Sequence, residues 1–238
     1  MPGDAELATL LAYAEEARDV VGVYVFGSRG RADGLADERS DWDVAIVLRD
    51  DADVAAFDAR WPYVHGAPVE IARLTMSELR VSDGPVFEAI DLRLDKTGEV
   101  ACVLAAKGRV GPEAAREALD AYVNATYRAL RYRETGSRGW RLDAAEAIPP
   151  LLTFLFAVQG RVRPFNKYVA EALPAGFSRE RVHAVLDGDA AELRALFRDV
   201  EQLARDHGLG GVVDGWEPDL AWLRGDGAYR GDGRGRRP

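Results

Sequence analysis

The chain has 238 residues, of which 47% are hydrophobic and 30% charged, and its formal net charge is −9 at pH 7. That length gives room for one large domain or two modest ones. No apolar run reaches the ~20 residues that cross a bilayer, no basic segment leads into an apolar core at the N-terminus, and a single cysteine excludes an internal disulfide framework. We therefore expect a cytoplasmic protein without a membrane partner. The acidic total disfavours nucleic acid, whose binders carry a basic face, and favours a cationic small molecule, which a negative cleft concentrates.

The first half of the chain alternates strand and helix patterns. In chain order, hydrophobic periodicity and turn residues predict a helix over 6–18, a strand over 20–26, a short helix over 28–31, a strand over 41–48, a helix over 51–60, a strand over 69–74 and a short helix over 86–90. Residues 91–95 and 100–104 flank a Lys-Thr-Gly-Glu segment and predict a hairpin, or a fourth strand with its turn.

Beyond Gly111 the pattern is helical as far as residue 207. It predicts helices over 112–134, over 141–159 with an interruption or kink at Pro149-Pro150, from Pro164, from a cap at Ser178, and over 189–205. Residues 225–238 alternate Gly, Arg and Asp and predict a disordered tail. The sequence thus predicts an α+β protein with a small mixed-sheet domain over 1–109, an all-α helical-bundle domain over 110–224, and the tail.

The first two strands are joined by a segment that carries the main chemical signal. Gly27-Ser28-Arg29 follows one strand, and Asp41 and Asp43 open the next. Residues i and i+2 of a strand lie on one face, roughly 6.6 Å apart, so the two carboxylates point the same way and Trp42 points the other way. Two such carboxylates can share a pair of Mg²⁺ ions ~3.5–4 Å apart. A Gly-Ser turn offers backbone N–H groups and a hydroxyl, which suit phosphate oxygens.

A third carboxylate follows on the next strand. Val69 and Ile71 are expected to face one layer, which puts Glu70 on the other face. The alternative is structural, since an isolated Glu in a strand is often a solvated edge residue, and an Asp-x-Asp entering a strand can be a solvated strand end.

The order Gly-Ser, polar loop, Asp-x-Asp on a strand resembles the nucleotidyltransferase signature of the DNA polymerase β superfamily. The layout of the whole chain resembles aminoglycoside nucleotidyltransferases of the streptomycin/spectinomycin type. Two departures stand out: residues 29–39 make the loop slightly long, with the extra length in residues 33–37, and Trp42 stands where Ile or Leu is usual. The resemblance implies that Asp41, Asp43 and Glu70 hold two Mg²⁺ ions, with Glu70 as a ligand or the general base. It also implies that Gly27, Ser28 and Arg29 bind the phosphates of ATP, the nucleotide donor.

The helical half has two polar exceptions. Residues 160–168 combine two Arg, one Lys, one Asn and two aromatics around a helix start, and the resemblance implies that Lys167 approaches the triphosphate. The alternative is a solvated basic turn. Asp143 and Glu146 share one face of an otherwise apolar helix. Such carboxylates need partners, which are either a cationic acceptor or the nearby arginines at 128, 131 and 141.

Taken together, these residues predict a Mg²⁺-dependent enzyme that transfers a nucleoside monophosphate, AMP from ATP, to a hydroxyl of a small cationic acceptor such as an aminoglycoside. Its partners are then a nucleoside triphosphate and that acceptor. Two other readings are a non-catalytic nucleotide-binding or antitoxin-type regulatory module and a protein-adenylylating enzyme. The presence of all three carboxylates argues against the first. For the second, a deep acidic cleft would favour a small cationic acceptor and a shallow open face would favour a protein.

Overall fold

A computed structural model of the chain describes residues 3–31, 36–38, 40–83 and 85–229. The chain divides into two compact units, Met1–Arg109 and Val110–Pro238, called here the N-terminal unit and the helical unit. Of the predicted tail, residues 230–238 lie outside the described residues, and so do residues 33–35 of the long loop. No helix in the described ranges is both long enough and apolar enough to span a bilayer.

The N-terminal unit is built on a four-stranded mixed sheet with the strand order β3-β2-β1-β4. Strand β1 pairs antiparallel with β2 and β4, whereas β2 and β3 are parallel. This sheet, followed by a purely helical unit, confirms the predicted α+β class. In chain order the elements are α1 (Asp4–Glu16), β1 (Val20–Phe26), β2 (Trp42–Leu48), α2 (Val54–Arg60), β3 (Val69–Thr75), α3 (Met76–Val81), a 3-10 turn (Pro85–Glu88), β4 (Asp91–Asp95) and α4 (Glu99–Lys107).

The sheet separates two apolar layers because side chains alternate along each strand. On β2, Val44, Ile46 and Leu48 pack with α1 and with β3 residues Val69 and Ile71. Ala45 and Val47 face the other layer, which holds Met76 and Leu79 of α3 and Val100 and Leu104 of α4. The same alternation directs Asp43 and Glu70 toward that second layer, at the end of the sheet where β2 begins.

The predicted short helix over 28–31 is wrong, and of the two alternatives predicted for residues 91–104 the fourth strand with its turn is confirmed and the hairpin is wrong. Residues 28–31 form a turn instead of a helix, closed by the Gly30 N–H donating to the Phe26 carbonyl oxygen at 3.2 Å. Residues 100–104 lie in helix α4 and not in a strand. The Asp95 carboxylate ends β4 there, because it accepts the N–H groups of Thr97, Gly98 and Ala101 at 2.8–3.0 Å and so starts the helix.

The helical unit contains α5 (Pro112–Glu134), α6 (Trp140–Ala157), α7 (Asn166–Ala172), α8 (Arg179–Leu186), α9 (Ala190–Asp206), α10 (Gly210–Asp214) and α11 (Leu220–Arg224). The predicted cap is confirmed, since Ser178 accepts a backbone N–H group at the start of α8. Asp189, predicted as the first residue of the next helix, caps α9 in the same way. Helix α6 continues through Pro149 and Pro150 without the predicted interruption. Both prolines lie away from the buried face, whose Leu151, Phe154 and Leu155 are fully buried, and that packing outweighs the backbone hydrogen bonds that the prolines remove.

A buried ion-pair cluster joins α9 to α11 in the helical unit. Glu201 is 7% exposed and accepts from Arg205 at 2.7 Å and from the Arg224 Nε at 2.7 Å. Hydrogen bonds from Arg224, and then from Arg205, lower the pKa of Glu201 below its ordinary value. Burying this carboxylate is therefore favourable only while both arginines accompany it.

We expect Glu201→Gln to lower the free energy of unfolding at pH 7 by about 1–3 kcal/mol, because two arginines lose their buried counter-charge. A lowered native pKa makes this contribution complete above the ordinary glutamate pKa of about 4.3 and removes it as the pH falls through the native pKa. The difference between wild type and variant should thus shrink in acid. Urea unfolding followed by circular dichroism at neutral and acidic pH measures it. The exposed Glu117→Gln on α5 is the matched control, and equal destabilisation by both would contradict the assignment.

Candidate functional site

Three carboxylates meet at the end of the sheet where β2 begins. Parallel pairing sets Asp43 of β2 opposite Glu70 of β3, and Asp41 immediately precedes β2. One oxygen from each of the three side chains lies within 4.8 Å of the others, and all three residues are half-buried. The structure therefore brings together the three acidic residues that the sequence singled out. Trp42 points to the opposite layer, where its indole N–H donates to Asp4 of α1 at 3.1 Å.

The Gly-Ser turn lies directly against Asp43. Gly27 has φ +66°, a left-handed conformation that L side chains rarely adopt. A Cβ atom at this position would stand 2.0 Å from the Asp43 Oδ2. Only glycine tolerates both the positive φ and the close approach of Asp43, so the position of the Asp43 carboxylate requires a glycine here. Ser28 follows and is 6% exposed.

Arg29 has a structural role that the sequence did not indicate. Its Nε donates to the carbonyl oxygens of Ser40 at 2.9 Å and Asp41 at 3.1 Å, and its Nη2 donates to Ser40 at 2.6 Å. The guanidinium carbon lies 4.6 Å from the centre of the Trp42 ring. Arg29 thus holds the backbone that leads into β2 and fixes the position of the Asp41 main chain. Its contact with phosphate stays a prediction.

Glu70 is held by the loop that joins α2 to β3. Its carboxylate accepts the Tyr63 hydroxyl at 3.0 Å and the Gly66 N–H at 2.5 Å, and His65 Nδ1 lies 3.1 Å away. The Gly66 N–H, more than Tyr63 or His65, lowers the pKa of Glu70. The Tyr63 pKa is raised, first by its hydrogen bond to Glu70 and also by the charges of Asp43 and Asp41. Sequence reasoning missed Tyr63, His65 and Gly66, although their position just before the Glu70 strand was a usable signal.

A buried ion pair secures the far side of the turn. Arg31, just beyond the Gly-Ser turn, contacts Glu88 of the 3-10 turn at 2.5 Å, and the two side chains are 8% and 7% exposed. Since a buried pair is costly to break, this contact fixes the chain as it leaves the turn. Neither residue was singled out by the sequence.

The predicted residues of the helical unit have other contacts. Arg128 of α5 binds Asp143 at 2.9 Å and Glu146 at 2.6 Å, which is the structural alternative left open by the sequence. Lys167 lies on α7 with its ammonium 4.8 Å from the centre of the Tyr168 ring. Their roles toward an acceptor and a triphosphate stay predictions.

The three carboxylates fit a hard divalent cation. Mg²⁺ takes oxygen ligands at about 2.0–2.1 Å, so two ligands on opposite sides of one ion lie about 4.2 Å apart. The three carboxylate oxygens lie within 4.8 Å of one another, which is close to that span. Within the described ranges, no other group of three His, Cys, Asp or Glu side chains has comparable spacing. The oxygen-only donor set disfavours zinc and other soft-ligand metals.

Comparison with known proteins adds a structural similarity to this description. The chain matches no protein-family model, and no curated protein is significantly similar to it. Among solved structures it is similar to a nucleotidyltransferase-like protein from Exiguobacterium sibiricum 255-15, with 13% sequence identity and a TM-score of 0.39. That alignment covers 93% of this chain and 88% of the other. We draw no function from so distant a similarity.

Proposed function

We propose that the chain is a metal-dependent nucleotidyltransferase that moves a nucleoside monophosphate, AMP from ATP, onto the hydroxyl of a small acceptor. One observation carries the proposal: three carboxylate oxygens within 4.8 Å of one another beside a Gly-Ser turn that has no room for a Cβ atom. Carboxylates that converge so closely repel one another unless a cation joins them, and the backbone N–H groups and hydroxyl of a Gly-Ser turn are groups that suit phosphate.

In this proposal Asp41, Asp43 and Glu70 hold Mg²⁺. Two such ions, when bound, would stabilise charge on the attacking and leaving oxygens of an in-line displacement. The acceptor oxygen forms a bond to the α-phosphorus, the bond from that phosphorus to the bridging oxygen breaks, and pyrophosphate leaves. The hydroxyl proton passes to a carboxylate of the site or to water. Gly27 and Ser28 contact the departing phosphates, and Lys167 is proposed to offset their charge.

The contacts of Glu70 favour metal binding as its main role. Its carboxylate accepts hydrogen bonds from Tyr63 and Gly66, and such donors stabilise the charged form. A general base works best when its pKa lies near the working pH, whereas a metal ligand must stay ionised. The lowered pKa of Glu70 therefore suits a ligand better than a base.

For the acceptor we propose a small hydroxyl-bearing cation such as an aminoglycoside. The net charge of −9 supports this class. Asp143 and Glu146 support it less than their sequence suggested, because both bind Arg128 and the three side chains together carry only one net negative charge. A protein acceptor is the alternative within the same chemistry.

A screen for pyrophosphate release tests the proposal. The purified chain is incubated with MgCl₂, with each of the four ribonucleoside triphosphates in turn, and with a panel of aminoglycosides, neutral polyols and proteins. We expect acceptor-dependent release that disappears with EDTA and with Asp43→Asn. Mass spectrometry of the acceptor should show one added nucleoside monophosphate. No release and no modified acceptor across the panel would contradict the proposed transfer, and release with polyols only would remove the cationic acceptor.

A further inference from the structure

The helical unit contains a cavity whose lining residues all belong to this unit. It has a volume of about 410 Å³ and is lined by residues of α6, α7, α8 and the segments that join them, between Ala145 and Leu186. Small-molecule sites in proteins commonly measure about 300–1,000 Å³. The cavity is therefore large enough for an organic ligand, and every residue that lines it belongs to one compact unit.

The walls of the cavity are apolar. Ile148 and Leu152 of α6 and Val169 of α7 are 6–7% exposed, and Val182 of α8 completes this surface. Apolar walls favour a ligand that removes its own apolar surface from water, at about 25 cal/mol for each Å² buried. A fully hydrophilic ligand would gain nothing from them.

The polar residues of the lining are cationic or neutral. Arg163, Lys167, Arg179 and His183 all line the cavity, and no Asp or Glu of the described residues does. Arg179 and His183 are exposed on one face of α8, with Arg179 Nε 3.5 Å from His183 Nε2. A cationic rim is unexpected in a chain whose net charge is −9, and it attracts an anion.

Arg163 is the cation best placed to receive that anion. It is half-buried, and its guanidinium donates to two neutral acceptors, the Pro149 carbonyl oxygen at 3.2 Å and the Asn166 side chain. Among the described residues no carboxylate forms an ion pair with it. Burial lowers the pKa of Arg163, as expected for a partly desolvated cation that has no carboxylate beside it in the described part of the chain. An anionic ligand would supply a counter-charge.

We propose that this cavity binds an organic anion with an apolar body, held by its charged head on Arg163 and Arg179 and by its body on the walls of α6, α7 and α8. The head is a carboxylate or a phosphate monoester, which planar guanidinium groups bind equally well. A cationic amino sugar does not fit, because the rim repels it. A magnesium–nucleotide complex fits poorly, because the lining has no carboxylate for the metal. Lys167, which the proposed nucleotidyl transfer assigns to the triphosphate, also lines the cavity. The anionic head proposed here is held by Arg163 and Arg179, however, and needs no part of the chemistry of the three carboxylates of the N-terminal unit.

Isothermal titration of the full chain with three naphthalene probes tests this site. 2-Naphthoate and 2-naphthyl phosphate carry the two anionic heads, and 2-naphthylmethanol is their neutral counterpart. We expect one molecule of at least one anion to bind per chain, at least about tenfold more tightly than the alcohol, because a charge-assisted hydrogen bond is lost with the head. The better anion identifies the head. Equal binding of the alcohol, or no binding of either anion, would overturn the proposal.

Two variants and a control locate the binding. Arg163→Gln and the exposed Arg179→Gln should each weaken the better anion about tenfold, and Arg116→Gln, an exposed arginine of α5, should leave it unchanged. Arg163→Gln also removes the contact with Pro149, and circular dichroism shows whether this variant still folds. If it does not, Arg179→Gln alone decides the test. Unchanged affinity in Arg179→Gln, or displacement of the probe by Mg·ATP, would overturn the proposal. Pyrophosphate release plays no part in these measurements, so they are separate from the test of nucleotidyl transfer.

Discussion

Asp43→Asn is expected to reduce nucleotidyl transfer by ~10²-fold or more while leaving the fold intact. Asp43 stands at the centre of the candidate site, opposite Glu70 in the parallel register and against the backbone of Gly27. An amide has nearly the shape of a carboxylate, so the packing around β2 is kept. It cannot neutralise a divalent cation, so the metal and the phosphates that depend on it lose their anchor.

The expected loss of metal binding in Asp43→Asn can be measured without knowing the acceptor. A ligand that binds only the folded state raises its stability by RT ln(1 + [L]/Kd), so MgCl₂ should raise the melting temperature of the wild-type chain and not that of Asp43→Asn. Asp83→Asn, an exposed aspartate of the same unit, is the matched control and should respond like wild type. A folded Asp43→Asn protein with normal turnover and an unchanged response to Mg²⁺ would contradict the metal assignment.

The sheet and its acidic residues could be predicted because they depend on local pattern. Strand alternation places Val44 and Ile46 in one layer and Asp43 in the other whatever the rest of the chain does. Glu70, the neighbour of Asp43 on β3, could be expected on the same face, because the two apolar residues on either side of it face the other layer. Their convergence within 4.8 Å needed only that β2 and β3 be neighbours.

The contacts that hold these carboxylates could not be predicted, because they join residues with no periodic relation. Arg29 reaches the carbonyl oxygens eleven and twelve residues ahead, and Arg31 pairs with Glu88 across 57 residues. From the sequence, an arginine after a Gly-Ser turn could bind phosphate or could hold the backbone of its own chain. Only the folded chain shows that the guanidinium of Arg29 faces the backbone that leads into β2.

The helical unit illustrates a second limit of sequence reasoning, the competition between local preference and packing. Two consecutive prolines predicted an interruption of α6, but the buried face of that helix carries it through. Asp143 and Glu146 on the same helix could pair with an acceptor or with an arginine. The sequence offered three arginines, and the fold selects Arg128.

The second large effect is expected at Gly27. A Cβ atom there would stand 2.0 Å from the Asp43 Oδ2, an approach that Cβ atoms essentially never show, and 3.0 Å from its Cγ, which is also tight. Either the Asp43 side chain must rotate away or the turn must shift, and both separate the turn from the three carboxylates. The backbone adds its own cost, since an L residue at φ +66° is disfavoured by about 1–2 kcal/mol.

We therefore expect Gly27→Ala to lose nucleotidyl transfer and the Mg²⁺-dependent rise in melting temperature as completely as Asp43→Asn, ~10²-fold or more in rate, although every acidic residue is still present. Gly98→Ala separates the two causes, because Gly98 has φ +76° and nothing within 4 Å of the added Cβ. That control should lose about 1 kcal/mol of stability and keep its turnover and its response to Mg²⁺. Pyrophosphate release and thermal unfolding with and without MgCl₂ measure all three variants. Should Gly27→Ala behave like Gly98→Ala, Asp43 would be free to move without loss, and the close approach of the turn to this carboxylate would have no part in the activity.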